Sequence, residues 1–94
     1  MKYVLIYETD APDRSLIEEH LAAHQARWAH FRDQGTLLLI GPFTDETGGA
    51  MAVFATPESA EEFAAGDPFV LHGVVTRWRI RPWYEVLLPV TEAH

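Results

Sequence analysis

The sequence predicts an α+β fold in which four antiparallel strands form one sheet and two helices pack on one face of it. Three observations predict this fold. Segments of regular structure follow one another in the order β-α-β-β-α-β, the first helical segment is the longest element and has an apolar face, and a glycine-containing polar connection joins the second and third strands. The 94 residues suffice for one domain, so we treat 1–94 as a single unit.

The first strand and the first helix are the clearest elements. The strand is predicted at Lys2–Glu8, where a β-branched and aromatic run does not alternate with polar residues, which indicates that both of its faces are covered. The helix is predicted over residues 16–35 from an apolar face of helical spacing. Ser15 is the expected N-cap, with Glu18 completing a capping box. Gly35 is expected to end the helix in the left-handed conformation.

The middle of the chain predicts a hairpin and a second helix. Residues 36–40 and 50–55 are apolar strand segments that should pair across the polar connection 45–49. The second helix should begin after Thr56, since a threonine hydroxyl is a good N-cap acceptor. Gly66 is the expected end of this helix, because the Asp-Pro pair that follows it disfavours further helix.

The last quarter of the chain predicts a linker and an alternating strand. Residues 69–72 are expected to form a short linker or half-turn, and 74–81 a fourth strand with alternating faces. Pro82 is expected to break that strand. A short fifth strand is expected at 85–88 and a frayed tail at 91–94.

This order of elements is that of the ferredoxin-like fold. The first two strands are apolar on both sides, whereas two helices can cover only one side of the sheet. The other face should therefore be a large apolar patch, which monomers rarely expose. We expect a homodimer in which the sheets of the two copies face each other.

Composition and charge exclude several classes of function. The net charge is −7, from 7 basic and 14 acidic residues, and this argues against nucleic-acid binding and against anionic membrane surfaces. Cysteine is absent, so disulfides, thiol nucleophiles and cysteine-based metal sites are excluded. Apolar runs are too short to span a bilayer, and the N-terminal residues do not form a signal-peptide pattern. A cytoplasmic location is the default expectation.

His24 occupies a position on the apolar face of the first helix where the pattern calls for a hydrophobic residue. Two interpretations are open: a neutral core histidine, or a group that faces a cleft and transfers protons at working pH. His20 lies one turn earlier, but a metal site would need a third ligand, and no metal site is predicted. The apolar face itself is formed by Ile17, Leu21, Trp28 and Phe31.

Asp67 is the second candidate for chemistry. It directly follows the second helix, where an aspartate is often only part of a surface turn. Since both helices lie on the same face of the sheet, its carboxylate could instead reach His24, fix the tautomer of the imidazole and leave the other ring nitrogen to act as base and acid. The expected walls of a substrate cleft beside this pair are Trp28, Phe43, Phe69 and His72.

The ordered set of these residues resembles the YCII-related (YciI-like) family, and the resemblance runs from about Tyr3 to Trp83. It is carried by His24 with Gly35 eleven residues later, and then by Gly41-Pro42, Asp67-Pro68-Phe69, Gly73-Val74 and Pro82-Trp83. The resemblance implies a ferredoxin-like fold in a dimeric α/β-barrel arrangement. It also implies that His24 and Asp67 form an active-site dyad.

The resemblance further implies proton-transfer elimination or isomerisation of small hydroxylated or halogenated ring compounds, without a cofactor. The chain departs from the family pattern at Leu21, where members often carry an arginine three residues before the histidine. A basic group that could hold an anionic substrate is therefore missing at that position.

Two hypotheses of different classes follow. In the first, the protein is a cofactor-independent enzyme that acts on a small organic molecule, with His24 as general base and acid and Asp67 orienting it. In the second, it is a non-catalytic small-ligand-binding or assembly module, in which the same pair is a structural ion pair. Access distinguishes them, because a catalytic histidine must be reachable through a pocket.

Overall fold

A four-stranded antiparallel sheet with the order β2-β3-β1-β4 forms the base of the computed structural model, which describes residues 1–89. Its strands are β1 (Lys2–Glu8), β2 (Leu37–Pro42), β3 (Ala50–Phe54) and β4 (Arg77–Trp83). β1 lies inside the sheet, and its Leu5 is opposite Ala52 of β3 and Ile80 of β4. This order is that of the predicted ferredoxin-like fold, which is confirmed.

Three helices pack on one face of this sheet: α1 (Arg14–Asp33), α2 (Pro57–Gly66) and α3 (Pro68–Leu71). Only two were predicted, and α3 forms where a short linker or half-turn was expected, because the Asp67 side chain caps its start. α2 begins as predicted, with the Thr56 hydroxyl accepting a hydrogen bond from the amide of Ser59 at 3.2 Å. α1 ends as predicted, with Gly35 following it at a φ of 80°. α1 is 20 residues long, and no helix within residues 1–89 is both long and apolar enough to cross a bilayer.

The N-cap of α1 differs from the prediction. Asp13, not Ser15, is the capping residue, and its Oδ1 accepts a hydrogen bond from the amide of Leu16 at 3.2 Å. Asp13 has the extended backbone of an N-cap, whereas Ser15 already lies in the first helical turn. Aspartate and serine are about equally good N-caps, so the local sequence does not decide between them.

The end of the chain contains the other differences from the predicted elements. Pro82 does not end β4, because this strand lies at the edge of the sheet, where a missing amide need not remove a ladder bond. β4 begins at Arg77 rather than 74, since Val75 packs in the core and donates its amide to Phe69 O at 2.8 Å. Residues 85–88 form no strand, and the tail predicted at 91–94 lies outside the described residues.

The core lies between the helices and the inner face of the sheet. Phe31 of α1, Phe54 of β3 and Phe63 of α2 are buried, and their rings meet pairwise at centroid distances of 5.3 to 6.4 Å. The two contacts of Phe31 are edge-to-face, an arrangement that is favourable for aromatic rings, and the contact between Phe54 and Phe63 is tilted. This aromatic cluster fixes α1 and α2 against the same part of the sheet, which sets the spacing between the middle of α1 and the end of α2.

The opposite face of the sheet is not covered by any element within residues 1–89. The register and the alternation along the strands place Val4, Ile6, Leu39 and Met51 on this face. Leu39 and Met51 are exposed, so the predicted apolar patch is present. A row of arginines on β4 borders it, formed by Arg77, Arg79 and Arg81.

Arg27 joins α1 to the C-terminal end of α2. Its Nε donates to Phe63 O at 3.1 Å and its Nη2 to Glu62 O at 2.7 Å. Phe63 O is one of the last four carbonyls of α2, which the end of a helix leaves without intrahelical partners. The guanidinium also lies 5.1 Å from the centroid of the Phe31 ring. Arg27 therefore fixes the end of α2, which is where Asp67 follows.

Replacing Arg27 with methionine should lower the free energy of unfolding by about 1–3 kcal/mol, because it removes the donor of the partly buried Phe63 carbonyl and a second, exposed hydrogen bond to Glu62 O. Urea denaturation monitored by circular dichroism measures the change. Arg32→Met is the matched control, since Arg32 is exposed and pairs with the adjacent Asp33, and its effect should stay within about 0.5 kcal/mol. Equal effects of the two substitutions would contradict this role for Arg27.

Candidate active site

Asp67 lies at the junction of two helices. Its backbone ends α2, and its Oδ1 accepts a hydrogen bond from the amide of Phe69 at 3.2 Å, so that the same residue caps the start of α3. The residue is completely buried, at 0% exposure. A carboxyl group in such a place needs partners for both oxygens, since an unpaired buried charge is very unfavourable.

Two further side chains supply those partners. His24, in the middle of α1, places Nδ1 2.8 Å from Asp67 Oδ1, and the Tyr7 hydroxyl of β1 donates to Oδ2 at 2.6 Å. Together with the Phe69 amide, these contacts suit a carboxylate that only accepts hydrogen bonds. In that arrangement the His24 Nδ1 carries a proton, and the lone pair of a neutral ring is at Nε2.

Tyr7 was not among the residues predicted for the site. Burial, together with the hydrogen bond to Asp67, raises the pKa of the Tyr7 phenol well above its usual range, so the hydroxyl keeps its proton and remains a donor. The sequence signal that could have identified it is a tyrosine within an apolar strand, because a buried phenol hydroxyl usually has a hydrogen-bond partner.

Replacing Tyr7 with phenylalanine should lower the free energy of unfolding by about 1–3 kcal/mol, since Asp67 Oδ2 would lose its donor inside the protein. Thermal or urea unfolding measures this difference. Tyr3→Phe is a suitable control: Tyr3 lies on the same strand and face, and the described residues give its hydroxyl no side-chain partner, so we expect a change within about 0.5 kcal/mol. A Tyr7→Phe protein as stable as the control would show that Oδ2 does not need this donor.

A cavity of about 700 Å³ lies between α1 and the strands β1, β2 and β3, and His24 forms part of its wall. The His24 side chain is 12% exposed, and Nε2 makes no hydrogen bond with another residue in 1–89. Trp28, Phe43 and Phe69 also line the cavity, and their part in binding a substrate stays a prediction. The Phe69 ring stacks on the His24 imidazole with a centroid distance of 4.0 Å and an interplanar angle of 8°, which fixes the plane of the imidazole.

His72 does not reach the cavity, contrary to the prediction that it lines the cleft. α1 and α3 run side by side, so Phe69 meets His24 while His72 meets His20, with a ring-centroid distance of 4.0 Å. His72 therefore lies one helical turn away from His24 along α1. Within residues 1–89, no three His, Cys, Asp or Glu side chains come together in a way that could hold a metal ion.

The comparisons with known proteins agree with the sequence pattern. The family model of the YCII-related domain matches residues 1–84. The chain belongs to the YCII-related family. Among curated members, the protein YciI of Escherichia coli O6:H1 is 33% identical over 100 residues, and the alignment covers 92% of this chain and 99% of that protein. The uncharacterized protein YjpA of Bacillus subtilis is 32% identical over 69 residues, which cover 68% of this chain and 81% of YjpA.

A solved structure supports the fold of this YCII-related chain. The 5-chloro-2-hydroxyhydroquinone dehydrochlorinase from Burkholderia phenoliruptrix AC1100, in complex with 2,5-dihydroxybenzoquinone, superimposes with a TM-score of 0.72 at 17% sequence identity. The match covers 89% of this chain and 94% of the dehydrochlorinase. The two proteins therefore share the α+β ferredoxin-like fold.

Proposed function

We propose that the protein is a cofactor-independent enzyme that acts on a small organic molecule by general acid–base catalysis, with His24 as the proton-transferring group. The observation that carries the proposal is the contact of 2.8 Å between His24 Nδ1 and the buried carboxylate of Asp67, on the wall of a cavity large enough for a ligand. A histidine titrates near neutral pH, so it can take and return a proton within one reaction cycle.

Each residue of the pair has a separate part in this mechanism. Asp67 holds the proton on Nδ1 and stabilises the imidazolium that forms when Nε2 takes a proton from the substrate. In an isomerisation, Nε2 returns the proton to another carbon of the substrate. In an elimination, the electron pair left by the abstracted proton forms a double bond while a leaving group departs as an anion. Tyr7 and the Phe69 amide keep the carboxylate in place through both steps.

The reaction class is supported by the structural neighbour. A dehydrochlorinase removes hydrogen chloride from its substrate, and that protein was solved with a small hydroxylated quinone. The present chain has the same fold and a partly enclosed histidine on a cavity wall with aromatic rings. We therefore propose elimination or isomerisation of a small ring compound as the reaction.

We also propose that two copies of the chain pair through the open face of the sheet. That face exposes apolar side chains on β2 and β3 next to the apolar residues of β1, and a partner sheet would remove them from water. Sedimentation at micromolar concentration tests this, and a stable monomer would contradict it.

The alternative is a ligand-binding module in which the His24–Asp67 pair is structural. The observation that favours it is the double role of Asp67, whose carboxylate also caps α3 and so would be needed for folding without any chemistry. Such a module would bind a small molecule in the same cavity and release it unchanged.

One experiment separates these two functions. The protein is incubated with 5-chloro-2-hydroxyhydroquinone and with unchlorinated hydroquinones in D₂O, while chloride release and ring-proton exchange are monitored by ion-selective electrode and proton NMR. We expect chloride release or proton exchange faster than in buffer and than with heat-denatured protein. Binding detected by Trp28 fluorescence without any such reaction across the series would support the binding module instead.

A further inference from the structure

Apart from His24, which becomes positive when it takes up a proton, the side chains that line the cavity are uncharged. No Lys, Arg, Asp or Glu within residues 1–89 lines it, although 22% of the chain is charged. Its neutral polar side chains include Thr9 and Gln25, and Leu21 lies on the wall one helical turn before His24. Asp67 is close by but completely buried, and its oxygens are already engaged by Tyr7, His24 and the Phe69 amide.

This distribution of charge has a consequence for the ligand. A carboxylate or phosphate that entered the cavity would lose hydration without gaining a cationic partner, which is strongly unfavourable. The overall charge of −7 would repel an anion further. A cationic ligand would equally find no accessible carboxylate on the wall. The aromatic rings of Trp28, Phe43 and Phe69, in contrast, offer flat apolar surfaces.

We infer that this cavity selects an uncharged ring compound whose hydroxyl or carbonyl oxygens hydrogen-bond to neutral groups of the wall, and that it discriminates against acids and amines of the same size. The inference rests on the proposed function in taking this cavity as the substrate site. It assigns the specificity to the absence of charge along α1, at Leu21 in particular. A charge at that position would face the ligand, because Leu21 lines the cavity and is 38% exposed.

Three phenols of nearly equal size test the inference: hydroquinone (neutral), 4-hydroxybenzoate (anionic) and 4-hydroxybenzylamine (cationic). Binding is measured by quenching of Trp28 fluorescence, and Trp28→Phe identifies the part of the signal that comes from the cavity. We expect hydroquinone to bind, and each charged phenol to bind at least about tenfold more weakly because its charge must be desolvated. Equal or tighter binding of either charged phenol would overturn the inference, as would no quenching by hydroquinone at millimolar concentration.

Leu21→Arg tests the role of the wall directly. It should strengthen 4-hydroxybenzoate binding at least about tenfold, since the anion then gains a cationic partner in the cavity. Leu71→Arg is the matched control, because Leu71 lies on α3 outside the cavity, is 62% exposed, and changes the net charge by the same amount. A similar gain in both variants would assign the effect to net charge and overturn the role of Leu21. If Leu21→Arg fails to fold, the ranking of the three phenols on the wild-type protein still decides the inference.

The outcome can be separated from that of the catalytic proposal. Binding of the three phenols requires no proton transfer, so a wild-type protein that ranks them as expected but turns over no substrate would contradict only the catalytic proposal. A protein that turns over substrate but binds the benzoate as well as hydroquinone would contradict only the inference about charge.

Discussion

Replacing Asp67 with alanine will lower the free energy of unfolding by about 3–5 kcal/mol, the range found when one partner of a buried ionic group is removed. The substitution leaves the Tyr7 hydroxyl and the Phe69 amide without their acceptor, and it leaves His24 Nδ1 without a partner. It also removes the side-chain cap of α3. Urea denaturation at neutral pH measures the loss.

Asp33→Ala is the matched control for this prediction. Asp33 also lies at a helix end, but its side chain is 69% exposed and, among residues 1–89, pairs only with the adjacent Arg32. Its removal should change the stability by no more than about 0.5 kcal/mol. If the Asp67 variant lost less than about 1 kcal/mol, the buried carboxylate would not be the organising group that its contacts indicate.

Replacing His24 with glutamine will reduce kcat/KM about 10²–10⁴-fold on a substrate found with the assay proposed above, because the amide cannot act as a base at neutral pH. Glutamine was chosen because its amide can still donate a hydrogen bond to Asp67 Oδ1, so the carboxylate need not be left unpaired. Steady-state kinetics, with circular dichroism to verify the fold, measure the effect.

His20→Gln provides the comparison for His24. His20 lies one turn earlier on α1 and stacks on His72, and it is not part of the cavity wall. Its replacement should leave kcat/KM within about twofold of the wild type, since the residue makes no contact with a ligand in the cavity. Equal losses in the two variants, or full activity in the His24 variant, would exclude His24 as the proton-transferring group.

The fold could be predicted because the sequence patterns that indicate each strand, helix and cap involve only neighbouring residues. The order of strands and helices, the Thr56 cap and the left-handed Gly35 each follow from a few neighbouring residues. The meeting of His24 and Asp67 was predicted from the placement of both helices on one face and from the family resemblance, and the structure brings their side chains together. Their catalytic role remains a prediction.

Other parts of the site depend on tertiary geometry that a sequence pattern does not contain. Tyr3 and Tyr7 both occur in the same apolar strand. Only the position of Asp67 in the folded structure shows that the Tyr7 hydroxyl is the one with a carboxylate acceptor. His72 is close to Phe69 in the chain, yet the alignment of α3 along α1 moves it one turn away from His24. The behaviour of Pro82 likewise follows from the edge position of β4, which the residues around it do not reveal.

The Phe69 amide, which donates to Asp67 Oδ1, connects the main chain to the site with a single hydrogen bond. Any fluctuation that releases the carboxylate from this amide also loosens the first turn of α3, and with it the ring that stacks on His24. The rate at which this one amide exchanges its hydrogen for deuterium therefore reports how often the site opens. A ligand that stabilises the closed arrangement should slow that exchange, which gives a readout of occupancy before any reaction is known.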